Sequence, residues 1–287
     1  MLHRSTIQLL RFPFSYFLMP VFWFALSFVN NINWPRTIFA FALVHLLLYP
    51  SSNGYNSFMD RDTESIGGLE KPMQPTRELF YATVIMDVTG LILSFFISWQ
   101  FAAGFAFYIL CSRMYSYRGI RLKRFAVAGY FIVILNQGAL IFAMTYHAAS
   151  ENLSMSIPLQ GMVAAAFLIG GFYPITQIYQ HKADAKDGVE TISMMMGKKG
   201  TFIFCAVMYA VAFTILFLYY REANRLMDFV ILQIFFIAVI IYFVKWMLQV
   251  WKNESIADFK HTMRMNMLAS TCTNFAFITL ILLQRLG

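Results

Sequence analysis

A chain of 287 residues with 59% hydrophobic, 18% aromatic and only 13% charged residues is not a soluble globular domain, which carries about a quarter charged residues. The formal net charge of +8 is dispersed between apolar runs and serves topology, so no nucleic-acid partner is expected. Cys111, Cys205 and Cys272 all lie in apolar segments without CxxC spacing, and read as small core residues, neither zinc ligands nor a disulfide framework.

Apolar runs of spanning length fall at 12–30, 36–56, 78–99, 101–116, 125–147, 157–179, 201–220, 226–251 and 263–284. They predict an all-α, polytopic membrane protein of nine transmembrane helices in one domain, 1–287. No small-residue cleavage site follows the first run, so it is expected to stay as a span. With the N-terminus in the cytoplasm, seventeen of the 22 Lys and Arg fall on the inside, four on the outside and Lys245 within a span. That asymmetry follows the positive-inside rule.

The second run leads into Asn53-Gly-Tyr-Asn56-Ser-Phe-Met-Asp60-Arg-Asp62-Thr-Glu64, closed by Gly67-Gly68. Asn56, Asp60 and Glu64 are spaced i, i+4, i+8, so a continuing helix presents all three on one face over about 12 Å. The glycine pair then gives the helix its exit. Amide and carboxylate oxygens suit a hard cation such as Mg²⁺, which keeps waters and shares its shell with phosphates. A solvated helix cap or a topology signal is the plainer reading of the same residues.

Asp87, in the third run, is an intramembrane carboxylate and a functional candidate by default, or a structural partner of a hydroxyl such as Thr89. The loop after the fourth run carries Tyr115-Ser-Tyr117-Arg118-Gly-Ile-Arg121-Leu-Lys123-Arg124. It can anchor to anionic head groups or clamp phosphate, Arg bidentately and Lys as a point charge. Asn136-Gln137 in the fifth run can orient a polar acceptor or bond between helices. After the sixth run, Gln180-His181-Lys182-Ala-Asp184-Ala-Lys186-Asp187 places Gln180, Asp184 and Asp187 on one face. Asn266 and Asn274 in the last run read as inter-helix glue. Two acidic clusters and one basic loop at one membrane face are parts suited to holding a polyphosphate.

These pieces, in this order, resemble the UbiA superfamily of intramembrane prenyltransferases over nearly the whole chain. The family's first motif, Asn-Asp-x-x-Asp-x-x-x-Asp, stands as Asn56-Ser57-Phe-Met-Asp60-Arg-Asp62-Thr-Glu64. Its second, Asp-x-x-x-Asp-x-x-x-Gly-x-x-Thr, stands as Gln180-His-Lys-Ala-Asp184-Ala-Lys-Asp187-Gly188-Val-Glu-Thr191. Tyr115-Ser116 through Lys123 and the opening Arg11-Phe-Pro13 also look familial. Ser57, Glu64 and Gln180 depart from the motifs, and Gln180 removes one charge from the second metal site.

The resemblance implies a UbiA-type bundle that transfers a prenyl group from a prenyl diphosphate to an aromatic or other lipophilic acceptor, with Mg²⁺ as cofactor. Asp60 and Asp184 become the catalytic pair. Asn56, Asp60 and Glu64 become ligands of one ion, and Asp184 with Gln180 or Asp187 of a second. Tyr115, Arg121, Lys123 and Lys182 become contacts of the diphosphate. It further implies an integral protein of a bacterial inner membrane, in contact with membrane lipid, with its active site at the cytoplasmic face. The alternative is a non-catalytic protein that binds or transports isoprenoid lipid.

Overall fold

The computed structural model describes residues 2–286. Among them the chain is helical throughout apart from loops and two isolated β-bridges, Ile32 with Ser150 and Ile66 with Leu69. Nine long rods and one short helix follow one another. They are α1 (Arg4–Leu26), α2 (34–60), α3 (Arg77–Ser94), α4 (Trp99–Ser116), α5 (Ala126–Ala149), α6 (Leu159–Gln177), the short α7 (His181–Lys186), α8 (Ile192–Glu222), α9 (Leu226–Lys252) and α10 (Phe259–Leu286).

The starts of the rods are set by local chemistry. The Asn33 side chain accepts from Arg36 N at 3.1 Å, one residue after Pro35 enters the first turn of α2. Ser98 accepts from Phe101 N at 3.0 Å to open α4, and Thr191 from Met194 N at 3.2 Å to open α8. Each cap satisfies an N–H that has no partner inside its helix. Two rods carry π-helical stretches. α2 passes through a π-helical stretch at Leu43–Leu48 and α5 through another at Ile134–Leu140. A π turn rotates everything beyond it relative to an ideal helix, and such turns concentrate at functional sites.

Packing brings backbones close. A Cβ on Gly138 would stand 2.6 Å from Ala166 Cα, so α5 and α6 touch main chain to main chain, as small residues allow between membrane helices. Phe24 joins α1 to α5 and α10, its ring 5.2 Å from Phe142 and 4.7 Å from Phe277. Gly197, at φ 66°, kinks the first turn of α8 away from the rest of that rod.

Six rods, α1, α5, α6, α8, α9 and α10, are long and apolar enough to cross a membrane. The sequence predicts nine; α2, α3 and α4 fall short because they carry polar groups. Ser51, Ser52, Asn53 and Asn56 lie on α2, Arg77, Glu78 and Asp87 on α3, and Arg113 on α4. On α9, Ile234, Ile237, Ile241 and Leu248 are each more than half exposed. Continuous apolar surface of that kind needs a cover other than water.

Asp87 is ion-paired with Arg113 and accepts from a hydroxyl, as the sequence suggests, but that of Ser51 on α2 and not of Thr89. Arg113 Nε donates to Asp87 Oδ2 at 3.0 Å, Nη2 donates to Ser51 Oγ at 3.2 Å, and the guanidinium stands 3.8 Å from the centre of the Tyr55 ring. Arg113 is therefore no loop cation, as the charge count of the sequence takes it to be. It ties α4 to α3 and α2 inside the bundle. Asn266 and Asn274 do not act as glue, since their side-chain nitrogen and oxygen atoms are buried without a partner.

Candidate active site

The end of α2, the α4–α5 loop and the α6–α8 connection meet at one end of the bundle. α2 stops at Asp60 because Arg61 adopts the left-handed conformation at φ 54°. Asn56 and Asp60 thus share the last helical turns, as the spacing predicts. Glu64 does not: the helix has already ended, and Glu64 lies exposed at the outer rim. The exit is made at Arg61 and not at Gly67-Gly68. Asp62, passed over by the periodic reading, turns inward and lines the pocket in its place.

The pocket formed there is walled by Asn56, Asp60, Asp62, Tyr115, Lys123, Gln177, Gln180, Asp184 and Asp187, with Arg11 from α1. The two acidic motifs and the basic loop are therefore brought together as the sequence predicts. Lys123 Nζ is ion-paired with Asp60 Oδ2, and Arg121 with Asp187. Arg121 Nη1 donates to Asp187 O at 3.0 Å, and Arg118 Nε to Met59 O at 2.7 Å. Ser116 Oγ donates to Asn56 Oδ1 at 2.8 Å, and the Tyr115 and Tyr173 hydroxyls are 2.5 Å apart. Gln180 Nε2 donates to Ser65 O at 3.2 Å, so its carbonyl oxygen is the end available to a ligand. Lys182 is exposed on the outer side of α7 and lines no part of the pocket.

Arg11 is the residue that the sequence reading misses. It looks like a flanking cation, yet it is 8% exposed. Its Nη1 and Nη2 donate to Gly67 O and Asn53 O, each at 3.2 Å. Its own φ of 49° interrupts α1 and aims the side chain into the bundle. The signal that could have found it is its place just before Phe12-Pro13, since proline within a helix removes a hydrogen bond and breaks the rod.

The electrostatics are those of crowded carboxylates. Burial, and then the charge of Asp60, push Asp62 up to about 6. Burial first, then Asp62, Asp60 and Asp187, push Asp184 up to about 7 against the opposing pull of Lys123. Asp60 is nearly buried, and its Oδ1 has no hydrogen-bond partner. Among the described residues no three Asp, Glu, His or Cys side chains converge closely enough to enclose an ion by themselves.

The family model for the UbiA prenyltransferase family matches residues 17–268. The chain belongs to the UbiA prenyltransferase family. With six helices of spanning length and composition, this member is an integral membrane protein. No curated protein sequence matches it. Among solved structures it is similar to a UbiA homolog from Archaeoglobus fulgidus, with 16% identity and a TM-score of 0.69 over 96% of this chain and 99% of that one. The same homolog bound to GPP and Mg²⁺ gives 17% identity and 0.66 over 96% and 99%. The apo UbiA homolog from Aeropyrum pernix K1 gives 15% and 0.67 over 94% and 98%. At these identities the likeness establishes the UbiA-like helical fold.

Proposed function

We propose that this UbiA family member is a Mg²⁺-dependent intramembrane prenyltransferase that moves a prenyl group from a prenyl diphosphate to a lipophilic acceptor. The observation that carries the reading is the pairing of two acidic motifs across one pocket that also holds the cations Lys123 and Arg11 among neutral polar groups. The A. fulgidus homolog solved with GPP and Mg²⁺ supports it.

The residues fit the ion. Asp62 and Asp184 are held up in pKa by burial and by neighbouring negative charge, and Asp60 Oδ1 is buried without a hydrogen bond, Arg121 Nη2 standing 3.7 Å away. Such a site is short of positive charge. Mg²⁺ needs only one or two carboxylates, because waters and substrate phosphate complete its shell. Asn56, Asp60 and Asp62 would hold one ion, and Asp184 with Gln180 or Asp187 a second. Asp62 takes the part that the sequence motif gives to Glu64. When bound, Mg²⁺ neutralises the diphosphate and makes it a better leaving group.

The protein's own groups do the rest. Lys123 and Arg121, on the basic loop, and Arg11, from α1, supply donors to the remaining diphosphate oxygens. Breaking the allylic C–O bond leaves a cation, which the Tyr115 and Tyr173 ring faces stabilise by about 0.5–2 kcal/mol each. A separate apolar cavity among α1, α6 and α10, lined by Phe17, Phe24, Ile169, Phe172 and Phe277, is of the right character for an isoprenoid tail. Even with Arg113 withdrawn into the bundle, sixteen cations on one side against four on the other turn the pocket toward the cytoplasm, and α2, α3 and α4 complete nine spans.

The test is pyrophosphate release and prenylated product from purified protein in nanodiscs supplied with GPP, with and without Mg²⁺. Turnover that needs Mg²⁺ and falls by about 10²–10³-fold in Asp60→Ala, or roughly 3–4 kcal/mol, is expected. Wild-type turnover in Asp60→Ala, folded as judged by its melting profile, would end the assignment.

A further inference from the structure

The helix α7, His181–Lys186, is six residues long, too short to keep its place by its own helical bonds. Yet it carries Asp184, which lines the acidic pocket. Two ties at its ends reach toward that pocket: Gln180 Nε2 donates to Ser65 O at 3.2 Å, and Asp187 is ion-paired with Arg121. Arg121 is also a proposed donor to the diphosphate, so its hold on α7 is shared with substrate.

A further tie runs the other way, to α8. His181 is half-buried and does not line the pocket. Its Nε2 stands 2.8 Å from Ser193 Oγ, and Ser193 Oγ stands 2.9 Å from Thr201 Oγ1. Ser193 and Thr201 are fully buried. They are eight residues apart, about 12 Å along an unbroken helix. Their hydroxyls meet because Gly197, at φ 66° and ψ 171°, breaks the helix between them. That region of backbone space is essentially reserved for glycine.

The hydrogen bonds in this row run in one direction. A carbonyl oxygen only accepts. The Thr201 hydroxyl donates its single proton to main-chain oxygen, with Gly197 O at 2.8 Å and Ser193 O at 3.1 Å. Thr201 Oγ1 therefore accepts from Ser193. Ser193 Oγ, its own proton committed, accepts from His181, so the imidazole donates from Nε2. The row ends on a packed rod: Phe202 is fully buried and its ring stands 4.9 Å from that of Trp246 on α9.

Asp184 follows His181 by three residues, one turn on and about 60° round the same face. Holding the imidazole therefore holds the turn from which Asp184 reaches the pocket. We infer that His181 is a positioning residue, which fixes α7 to the body of α8 through Ser193 and Thr201 and so sets Asp184 for metal. The inference rests on the metal site of the transferase reading. The tie does not pass through the pocket, so it holds whether or not substrate is bound.

The experiment needs no substrate. Hydrogen exchange, and Mn²⁺ binding by EPR with Mn²⁺ in place of Mg²⁺, are followed on the purified protein in nanodiscs. Groups that orient metal ligands are worth about 10–100-fold in metal affinity. His181→Leu is expected to weaken Mn²⁺ binding about tenfold and to speed exchange at the α7 amides by about as much, with exchange beyond Thr201 unchanged. His181→Gln, whose amide N–H reaches the place of Nε2–H, is expected to restore both; His181→Asn, one bond shorter, is not. Ser193→Ala is expected to match His181→Leu, and the double variant to be no worse than either. Wild-type Mn²⁺ affinity in His181→Leu overturns the inference. So does a His181→Gln variant no better than the leucine one, and so does wild-type protein that binds no Mn²⁺. Turnover of GPP is read separately: the expected variant pattern without turnover removes the transferase reading and supports the positioning role.

Discussion

Arg121 Nη2 stands 3.7 Å from Asp60 Oδ1 while the same guanidinium is ion-paired with Asp187. One side chain from the basic loop thus bridges the two acidic motifs. Arg121 holds a left-handed φ of 51° to do so, a conformation uncommon outside glycine. Its side chain is only 10% exposed, so the charge acts with little screening.

Arg121→Gln should therefore raise the KM for the prenyl diphosphate about tenfold, or roughly 1.4 kcal/mol. Arg121→Lys should recover only part, because an ammonium cannot present two parallel N–H bonds. Steady-state kinetics with GPP varied and acceptor saturating read the difference. An unchanged KM in Arg121→Gln would remove this residue from the diphosphate site.

Mg²⁺ affinity should climb steeply between about pH 5.5 and 7.5. Asp62 and Asp184 titrate near 6 and 7, and only the ionised carboxylates bind the metal. Without metal the sign for stability is opposite. Their folded pKa values lie above the unfolded ones, so the folded state holds protons that the unfolded chain has released. Stability of the metal-free protein should therefore fall as pH rises from about 4 through 7. Thermal melting in detergent, with EDTA and with Mg²⁺, checks both trends. Parallel pH curves under the two conditions would contradict the assignment.

Removing one member of the Asp87–Arg113 pair should cost about 3–5 kcal/mol, because it strands a charge inside the bundle. Arg113→Met combined with Asp87→Leu should cost less than either change alone. Melting of the two single variants and the double variant closes the cycle. Additive losses would show that the pair is not coupled.

Gly138→Ala should destabilise by about 1–3 kcal/mol. Its Cβ meets the Ala166 backbone at 2.6 Å, and no side chain there can move aside. A variant melting within a degree of wild type would show that α5 and α6 separate freely.

Much of the site can be read in the sequence, and the failures have physical causes. Asn56 and Asp60 obey helical spacing because the helix persists to Asp60. Glu64 obeys it on paper only, because Arg61 turns the main chain left-handed and the next inward carboxylate becomes Asp62. Lys182 and Asp184 are two residues apart on a short helix, so when Asp184 faces the pocket Lys182 faces away. Arg11 cannot be told from a flanking cation until α1 folds against Asn53 and Gly67. The bundle is legible from its apolar runs, but α2, α3 and α4 fall below spanning hydropathy for the same reason that they matter: they carry the polar groups.

The Asp87–Arg113 pair also bears on how the chain enters the bilayer. Neither α3 nor α4 is among the helices apolar enough to cross alone, and each carries one half of an ion pair. An aspartate at the centre of an inserting helix, as Asp87 is in α3, costs about 2.5–3.5 kcal/mol. That cost is offset when both halves enter together, which favours insertion of α3 and α4 as a single hairpin over entry one by one. Arg113, neutralised within the pair, leaves Arg118, Arg121, Lys123 and Arg124 as the cations that follow the hairpin.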